Sequence, residues 1–242
     1  GVLQTKMVIK TNEQLIQRNA RIGQITMLIG LVVLMGGMFI SFRYPDRFDI
    51  SLMALLVGFI LSQVGIYFSN RWGRHPRPHN VMNQALKGLK RSYSLYHYET
   101  PASHLLVGPA GVWVLMPRHQ GGTITYDEKR RRWKQRGGNW YLKIFAQESL
   151  GRPDLEVEAE KEKVASFLRQ HMEEEEVPSI QAVLIFTNPK AVVDVPEEAN
   201  LPAKTVPVSK LKDEIRKAAK DPERSLPPAK VEEIQAIFDE HA

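Results

Sequence analysis

The chain contains no cysteine, so disulfides, zinc–thiolate centres and a thiol nucleophile are excluded together. Acidic residues are missing from Ile50 to Tyr98, and Glu99 is the only one between Ile50 and Tyr126. Magnesium and calcium are hard cations that take oxygen ligands, so that stretch offers no more than one carboxylate to either. Two further stretches, Gly23–Phe42 and Ile50–Asn70, lack charge of either sign, which leaves a proton or ion pathway without charged candidates. There is no internal repeat and no glycine loop of the kind that cradles a nucleotide; Gly121-Gly122 and Gly137-Gly138 read as turns.

What the uncharged stretches do contain is apolar length. Each reaches the roughly 20 residues a helix needs to cross a bilayer core. A cleaved signal peptide fits poorly, because the first run is long, lies well inside the chain, lacks a small-residue cleavage site and is followed by a second. Lys6, Lys10, Arg18 and Arg21 precede the first run and Arg71, Arg74 and Arg77 follow the second, whereas Arg43 and Arg47 in the connector sit beside Asp46 and Asp49. The positive-inside bias then puts both termini in the cytoplasm. Tyr44, Phe48, Tyr67 and Trp72 lie near the ends of the runs, where amphipathic rings favour the membrane interface. Gly23, Gly30 and Gly37 recur at seven-residue spacing in the first run, and Ser51, Ala54, Gly58, Ser62 and Gly65 form a small-residue stripe in the second. Small residues let helix backbones approach closely in lipid, so a tight helical hairpin is expected, with a wider partner interface as the alternative use of the stripe. The predicted organisation is an N-terminal cytoplasmic segment at 1–22, a transmembrane hairpin at 23–70 and a soluble domain at 78–242. Thr11 is a candidate cap for a helix entering the first span, with Gln14 reaching back to it.

Charge in the soluble part is uneven. Residues 70–146 hold 14 lysines and arginines against 3 acids, and residues 147–242 hold 13 against 21. A basic first half and an acidic second half suit either a phosphate-facing surface or two halves that attract each other. Pattern predicts a short helix at Val81–Lys90 and a strand at Ser92–Tyr98. A hairpin follows, from His104 through Gly108-Pro109-Ala110-Gly111 to Leu115, and then a strand at Thr123–Tyr126. After these come a helix at Asp154–Met172 with Leu155, Ala159, Val164, Phe167 and Leu168 inward, a buried strand at Ile180–Phe186 and a short strand at Thr205–Val208. Helices from Ser209 and from Pro227-Pro228 close the chain, the last with Val231, Ile234, Ile237 and Phe238 on one face. An α/β (α+β) domain with a mixed central sheet is the expected class. The sharpest local feature is the run Lys129, Arg130, Arg131, Arg132, Trp133, Lys134, Gln135, Arg136. Three readings of it stand: a grip on nucleic-acid phosphates with Trp133 stacked on a base, a contact with anionic lipid, or a solvated hairpin loop whose tryptophan packs inward. Glu173–Glu176 reads as a solvated helix end, since calcium binding there lacks a ligand loop.

The element order, together with HLLVGPAGVWVL and the GGTI that follows it, resembles the nuclease-related domain (NERD) family over roughly Val81–Phe238. The resemblance implies a restriction-endonuclease-like core and metal-dependent nuclease chemistry, in which a metal activates water and neutralises charge on phosphate. It also places the departures. The family aspartate before the histidine is Ser103 here, its glutamate is Met116, its lysine two residues later is Arg118, and its downstream glutamine falls near Glu156. A hydroxyl and a thioether do not replace two carboxylates as magnesium ligands. Substitute chemistry through His104, Arg118 and His119 is conceivable, but a histidine at a strand start fits a hydrogen-bonded structural role better. The expectation is therefore a membrane-anchored accessory or scaffold protein with a catalytically inactive domain, a subunit of or partner to a larger membrane complex. The expected location is a bacterial cytoplasmic membrane. Membrane-tethered nucleic-acid binding through residues 129–136 is the second reading, and an active nuclease dependent on His104 or Glu99 the third. No motif for a cofactor, a metal or a small-molecule substrate is present.

Overall fold

A computed structural model describes residues 6–145, 149–197 and 199–242; residues 1–5 of the predicted N-terminal segment lie outside the described residues. Along the chain run β1 (Val8–Thr11), α1 (Glu13–Arg43), α2 (Phe48–Phe68), α3 (Pro78–Ala85), β2 (Ser94–His97), β3 (His104–Gly108), β4 (Gly111–Arg118), β5 (Gly122–Asp127) and β6 (Arg132–Arg136). They are followed by α4 (Trp140–Phe145), α5 (Pro153–Arg169), β7 (Ile180–Phe186), β8 (Ala191–Val193), β9 (Lys204–Pro207), α6 (Leu211–Ala219) and α7 (Pro228–His241). These elements divide into two compact units, one holding α1, α2 and α4, the other holding the strands with α3 and α5–α7.

In the first unit, α1 and α2 are long and apolar enough to cross a membrane, with only 11% and 17% of their most apolar windows buried. A core helix of a soluble protein would hide its apolar surface; these two display it. At 1.5 Å per residue α2 is about 32 Å long, the thickness of a bilayer's hydrocarbon core, and α1 is about 46 Å, so α1 reaches well past it. What the pair does bury is its small residues: Gly23, Gly30 and Gly37 on α1, and Ser51, Gly58 and Gly65 on α2, each seven apart. Seven residues is close to two helical turns, so each set forms one continuous seam. Close approach requires glycine here. A Cβ at Gly30 would lie 2.8 Å from the Ser62 hydroxyl and 2.9 Å from its backbone nitrogen, one at Gly37 would lie 2.9 Å from the Ala54 Cβ, and one at Gly65 would lie 2.8 Å from the Met27 backbone. Gly58 meets Leu34 and the Gly30 carbonyl, and Gly23 meets Phe68 and Ser69, in the same way. Ser51 Oγ donates to the Gly37 carbonyl at 3.1 Å, while Ser62 Oγ donates back to the Gly58 carbonyl at 2.8 Å. A π-helical turn at Ser69–Gly73 ends the hairpin, with Phe68 and Trp72 rings 5.3 Å apart and Arg71 over the Trp72 ring.

The second unit is built on a six-stranded sheet in the order β1-β2-β3-β4-β7-β9. β1 with β2, β4 with β7 and β7 with β9 are parallel pairs; β2–β3–β4 is antiparallel. The sheet is mixed, as the sequence predicts. Period-two alternation assigns each strand's side chains to two faces. Val112, Val114, Met116, Leu184 and Phe186 meet α5 and α7 through Val157, Val164, Leu168, Ile234 and Phe238. Trp113, Leu115, Val183 and Ile185 meet α3 and α6 through Met82, Leu211, Ile215 and Ala218. Covering both faces explains why β7 reads as a continuous apolar run from Ala182 to Phe186. The β3–β4 turn depends on Gly111 at φ +107°, where a side chain would also strike the Arg224 carbonyl 2.7 Å away.

A second, three-stranded sheet has the order β6-β5-β8. Its β5–β6 pair is an antiparallel hairpin, so most of the basic run forms a strand rather than a loop. Three other differences from the sequence expectation stand out. Val8–Thr11 is an edge strand of the main sheet, in register with Ser94–His97, so part of the predicted N-terminal segment belongs to the sheet unit. Thr11 ends that strand, and Asn12 separates it from the helix that starts at Glu13. On α5, Leu155 is 61% exposed and Val157 is fully buried. Val164, Phe167 and Leu168 face inward as the sequence predicts, but in the first turns Val157 is the buried residue and Leu155 and Ala159 are exposed.

Candidate functional site

The positions singled out by the NERD resemblance cluster around the edges of β3 and β4. Met116 points from β4 into the core beside Val114 and Phe186 and is 5% exposed. Two residues on, Arg118 forms an ion pair with Glu156 from the first turn of α5, and its Nη1 donates to the Pro117 carbonyl at 3.0 Å. The Arg118 carbonyl in turn accepts from the Thr187 amide at 2.9 Å. The arginine is thus held from both sides, and its charge is balanced locally by Glu156. Glu99 lies in the loop after β2. Among the described residues, no group of three or more histidine, aspartate or glutamate side chains is placed to hold a metal ion.

His104 belongs to a buried polar network instead of an open cleft. His79, His97 and His104 are 4%, 0% and 4% exposed. His97 Nε2 lies 2.7 Å from Asn83 Oδ1, and His97 Nδ1 lies 2.8 Å from His104 Nδ1. With the Asn83 oxygen as acceptor, His97 carries its proton on Nε2, so its Nδ1 accepts from the Nδ1–H of His104. Burial, and then the neighbouring His79, push the His97 pKa down to about 3. A neutral ring is what this network needs, because a proton on His97 Nδ1 would face the His104 proton. Tyr98 closes the network from above: its backbone sits at φ +58°, its amide donates to the Ser103 carbonyl at 2.8 Å, and its ring is 4.9 Å from that of His104. A non-glycine residue in this conformation stores strain of order 1–3 kcal/mol, which the surrounding hydrogen bonds must offset.

The basic run is split by its strand geometry. Lys129, Arg130 and Arg131 occupy the exposed tip of the β5–β6 hairpin, Lys134 and Arg136 point outward, and Arg132 is partly covered. Trp133 is 4% exposed; its Nε1–H donates to Thr205 Oγ1 at 2.8 Å and its ring meets Tyr126 edge-on. The ring is committed to the domain interior, leaving only cations at the surface. Lys134 is bridged to Asp127 at 2.6 Å, and that contact holds the Asp127 carboxyl below the usual aspartate range.

Two features lie outside the residues singled out from the sequence. One is a groove of about 900 Å³ with Lys6, Met7, Ile9, Lys87, Leu89 and Arg91 among its lining, between the edge strand and the turn after α3. The sequence hides it because its walls come from segments some 80 residues apart. The other is α4, a six-residue helix with no buried residue. A segment this short carries too few turns for periodicity to register.

Comparison with family models, curated proteins and solved structures returns no match for the chain.

Proposed function

We propose that this is a membrane-anchored accessory or scaffold protein whose soluble domain is a catalytically inactive relative of the nuclease-related domain, acting as a subunit of or partner to a larger membrane complex. The observation that carries the reading is the state of the nuclease positions. Where two carboxylates and a lysine would be needed, Ser103 and Met116 offer no carboxylate, Met116 is sealed in the core, and Arg118 is paired with Glu156. The order α3, β2, the β3–β4 hairpin, β5, α5, β7 supports the same relation. A two-helix anchor holds such a domain at the cytoplasmic face of a bacterial inner membrane, where its uneven charge offers surfaces for partners. Incubation of the purified chain with duplex and single-stranded DNA and RNA, with magnesium or manganese, tests the inactive half of this reading. No cleavage above that of an Arg118→Ala, Glu99→Gln double variant is expected; metal-dependent cleavage lost in that variant would overturn it.

A second reading, tethered nucleic-acid binding, draws on the exposed cations Lys129, Arg130, Arg131, Lys134 and Arg136. It requires affinity that falls steeply with salt. Without a stacking ring at Trp133, it also requires indifference to base sequence.

A further inference from the structure

α4 is inside out. Trp140, Tyr141, Leu142, Ile144 and Phe145 are 68%, 54%, 41%, 61% and 40% exposed, whereas Lys143 is the least exposed residue of the helix. At 3.6 residues per turn the five apolar side chains sweep an arc of about 200°, with Lys143 on the remaining side. A helix lying on a soluble core does the opposite, hiding the arc and presenting the lysine. This segment belongs to the same compact unit as α1 and α2, although the sheet unit supplies the chain before and after it in sequence. Both features have one physical explanation if the medium around the hairpin is lipid.

We propose that Trp140–Phe145 is an interfacial membrane-contact segment, lying in the surface of the bilayer that α1 and α2 cross with its aromatic and aliphatic arc in the boundary between headgroups and acyl chains. The inference rests on the hairpin spanning a bilayer and goes beyond it by assigning a lipid contact to a segment some 70 residues further along the chain. Composition selects the interface over the hydrocarbon core. Tryptophan and tyrosine carry a polar N–H or O–H on an apolar body and favour that depth, where an amphipathic helix sinks about 5–10 Å. The ring contacts Trp140–Tyr141 and Tyr141–Phe145, at 6.1 and 4.6 Å, gather the aromatics into one patch. Lys143 within the helix supplies a cation at headgroup level for lipid phosphates. Between Arg136 and the helix, Gly137 and Gly138 both take positive φ, +80° and +84°, which turns the chain out of β6.

The test uses the absence of cysteine. Single cysteines replace Ile144 or Trp140 in the full chain, each at an exposed position, and carry a spin label after reconstitution in nanodiscs of phosphatidylcholine and phosphatidylglycerol. Two reference labels accompany them: Leu56→Cys on α2, and Leu155→Cys on α5, an exposed leucine of the sheet domain. Collision with oxygen should exceed collision with a water-soluble nickel chelate at Ile144→Cys and Trp140→Cys, as it does at Leu56→Cys, with the opposite ratio at Leu155→Cys. A nickel-accessible label at both α4 positions would overturn the proposal, and so would labels shielded from both agents, which would mean that protein covers the patch. If Leu56→Cys is itself nickel-accessible, the spanning hairpin fails and this inference falls with it.

Discussion

Protonation of a single side chain ties the domain's stability to pH. The folded-state pKa of His97, about 3, lies below its ordinary 6.5, so the unfolded chain binds the proton more tightly. The stabilisation is therefore fully present above about pH 6.5 and is lost as pH falls towards 3. Between pH 7 and pH 5 the loss is about 2 kcal/mol, from 1.36 kcal/mol per pH unit over the part of the window crossed. Denaturant unfolding of wild type and His97→Gln at the two pH values checks this: the acid-induced loss is expected to be smaller in the variant by about that amount. Equal losses would mean that His97 titrates normally. Trp133 offers a second test at this scale. Replacing it by alanine removes a buried ring and is expected to cost about 3–5 kcal/mol in unfolding free energy. The milder Trp133→Phe, which loses the hydrogen bond to Thr205 and part of the buried ring volume, should cost less, about 1–3 kcal/mol. A surface tryptophan waiting for a base would show neither loss. The sequence narrows the role of this residue to three readings, because a strand pairing decides which way its side chain points, and that pairing depends on β5 folding back through a tip at positions 128–131.

Between helices, the discriminating comparison is two adjacent glycines. A side chain at Gly37 would meet Ala54 at 2.9 Å, whereas one at Gly36 meets nothing within 4 Å. Gly37→Leu is accordingly expected to destabilise the hairpin by about 1–3 kcal/mol through overpacking, and Gly36→Leu to be neutral or slightly stabilising through helix propensity. Thermal unfolding in mild detergent compares the two; equal behaviour would mean that the Gly23, Gly30, Gly37 seam is not where the helices meet. That seam is readable in the sequence because close helix packing demands small residues at a fixed spacing. The strands β3, β4 and β7, and the inward face of α7, are legible for the same reason: a long run with one period has one solution. Elements without that property were hidden. β1 is four residues placed ahead of a long apolar helix, and only its pairing with Ser94–His97, some 86 residues away, makes it a strand. β8 is three residues long. On α5 the inward Val164, Phe167 and Leu168 are legible, but in the first turns, where apolar residues are sparse among acids, the pattern picks Leu155 and Ala159 where Val157 is buried. For the basic run, the reading of a hairpin whose tryptophan packs inward matches the buried Trp133, whereas the extension of β6 through Arg132–Arg136 is not legible in the sequence.

For the molecule as a whole, two long apolar helices and a mixed-sheet domain are combined in one chain, and the proposed relation to the nuclease-related domain would put Ser103, Met116 and a paired Arg118 at its catalytic positions. On the proposed accessory reading the domain acts through its surfaces, which are cationic along β6 and apolar along α4. Nucleic acid held by the β5–β6 tip should dissociate as salt rises, with affinity falling by powers of ten between low and moderate ionic strength, whereas association with protein partners through packed surfaces should survive the same titration. Solubilisation of native membranes in mild detergent, with half the sample treated with nuclease, followed by purification and identification of what co-elutes, separates these outcomes directly. The same protein subunits, at fixed ratio to this chain, are expected in both halves; nucleic acid recovered with no stable protein partner, or partners lost on nuclease treatment, would contradict the accessory role.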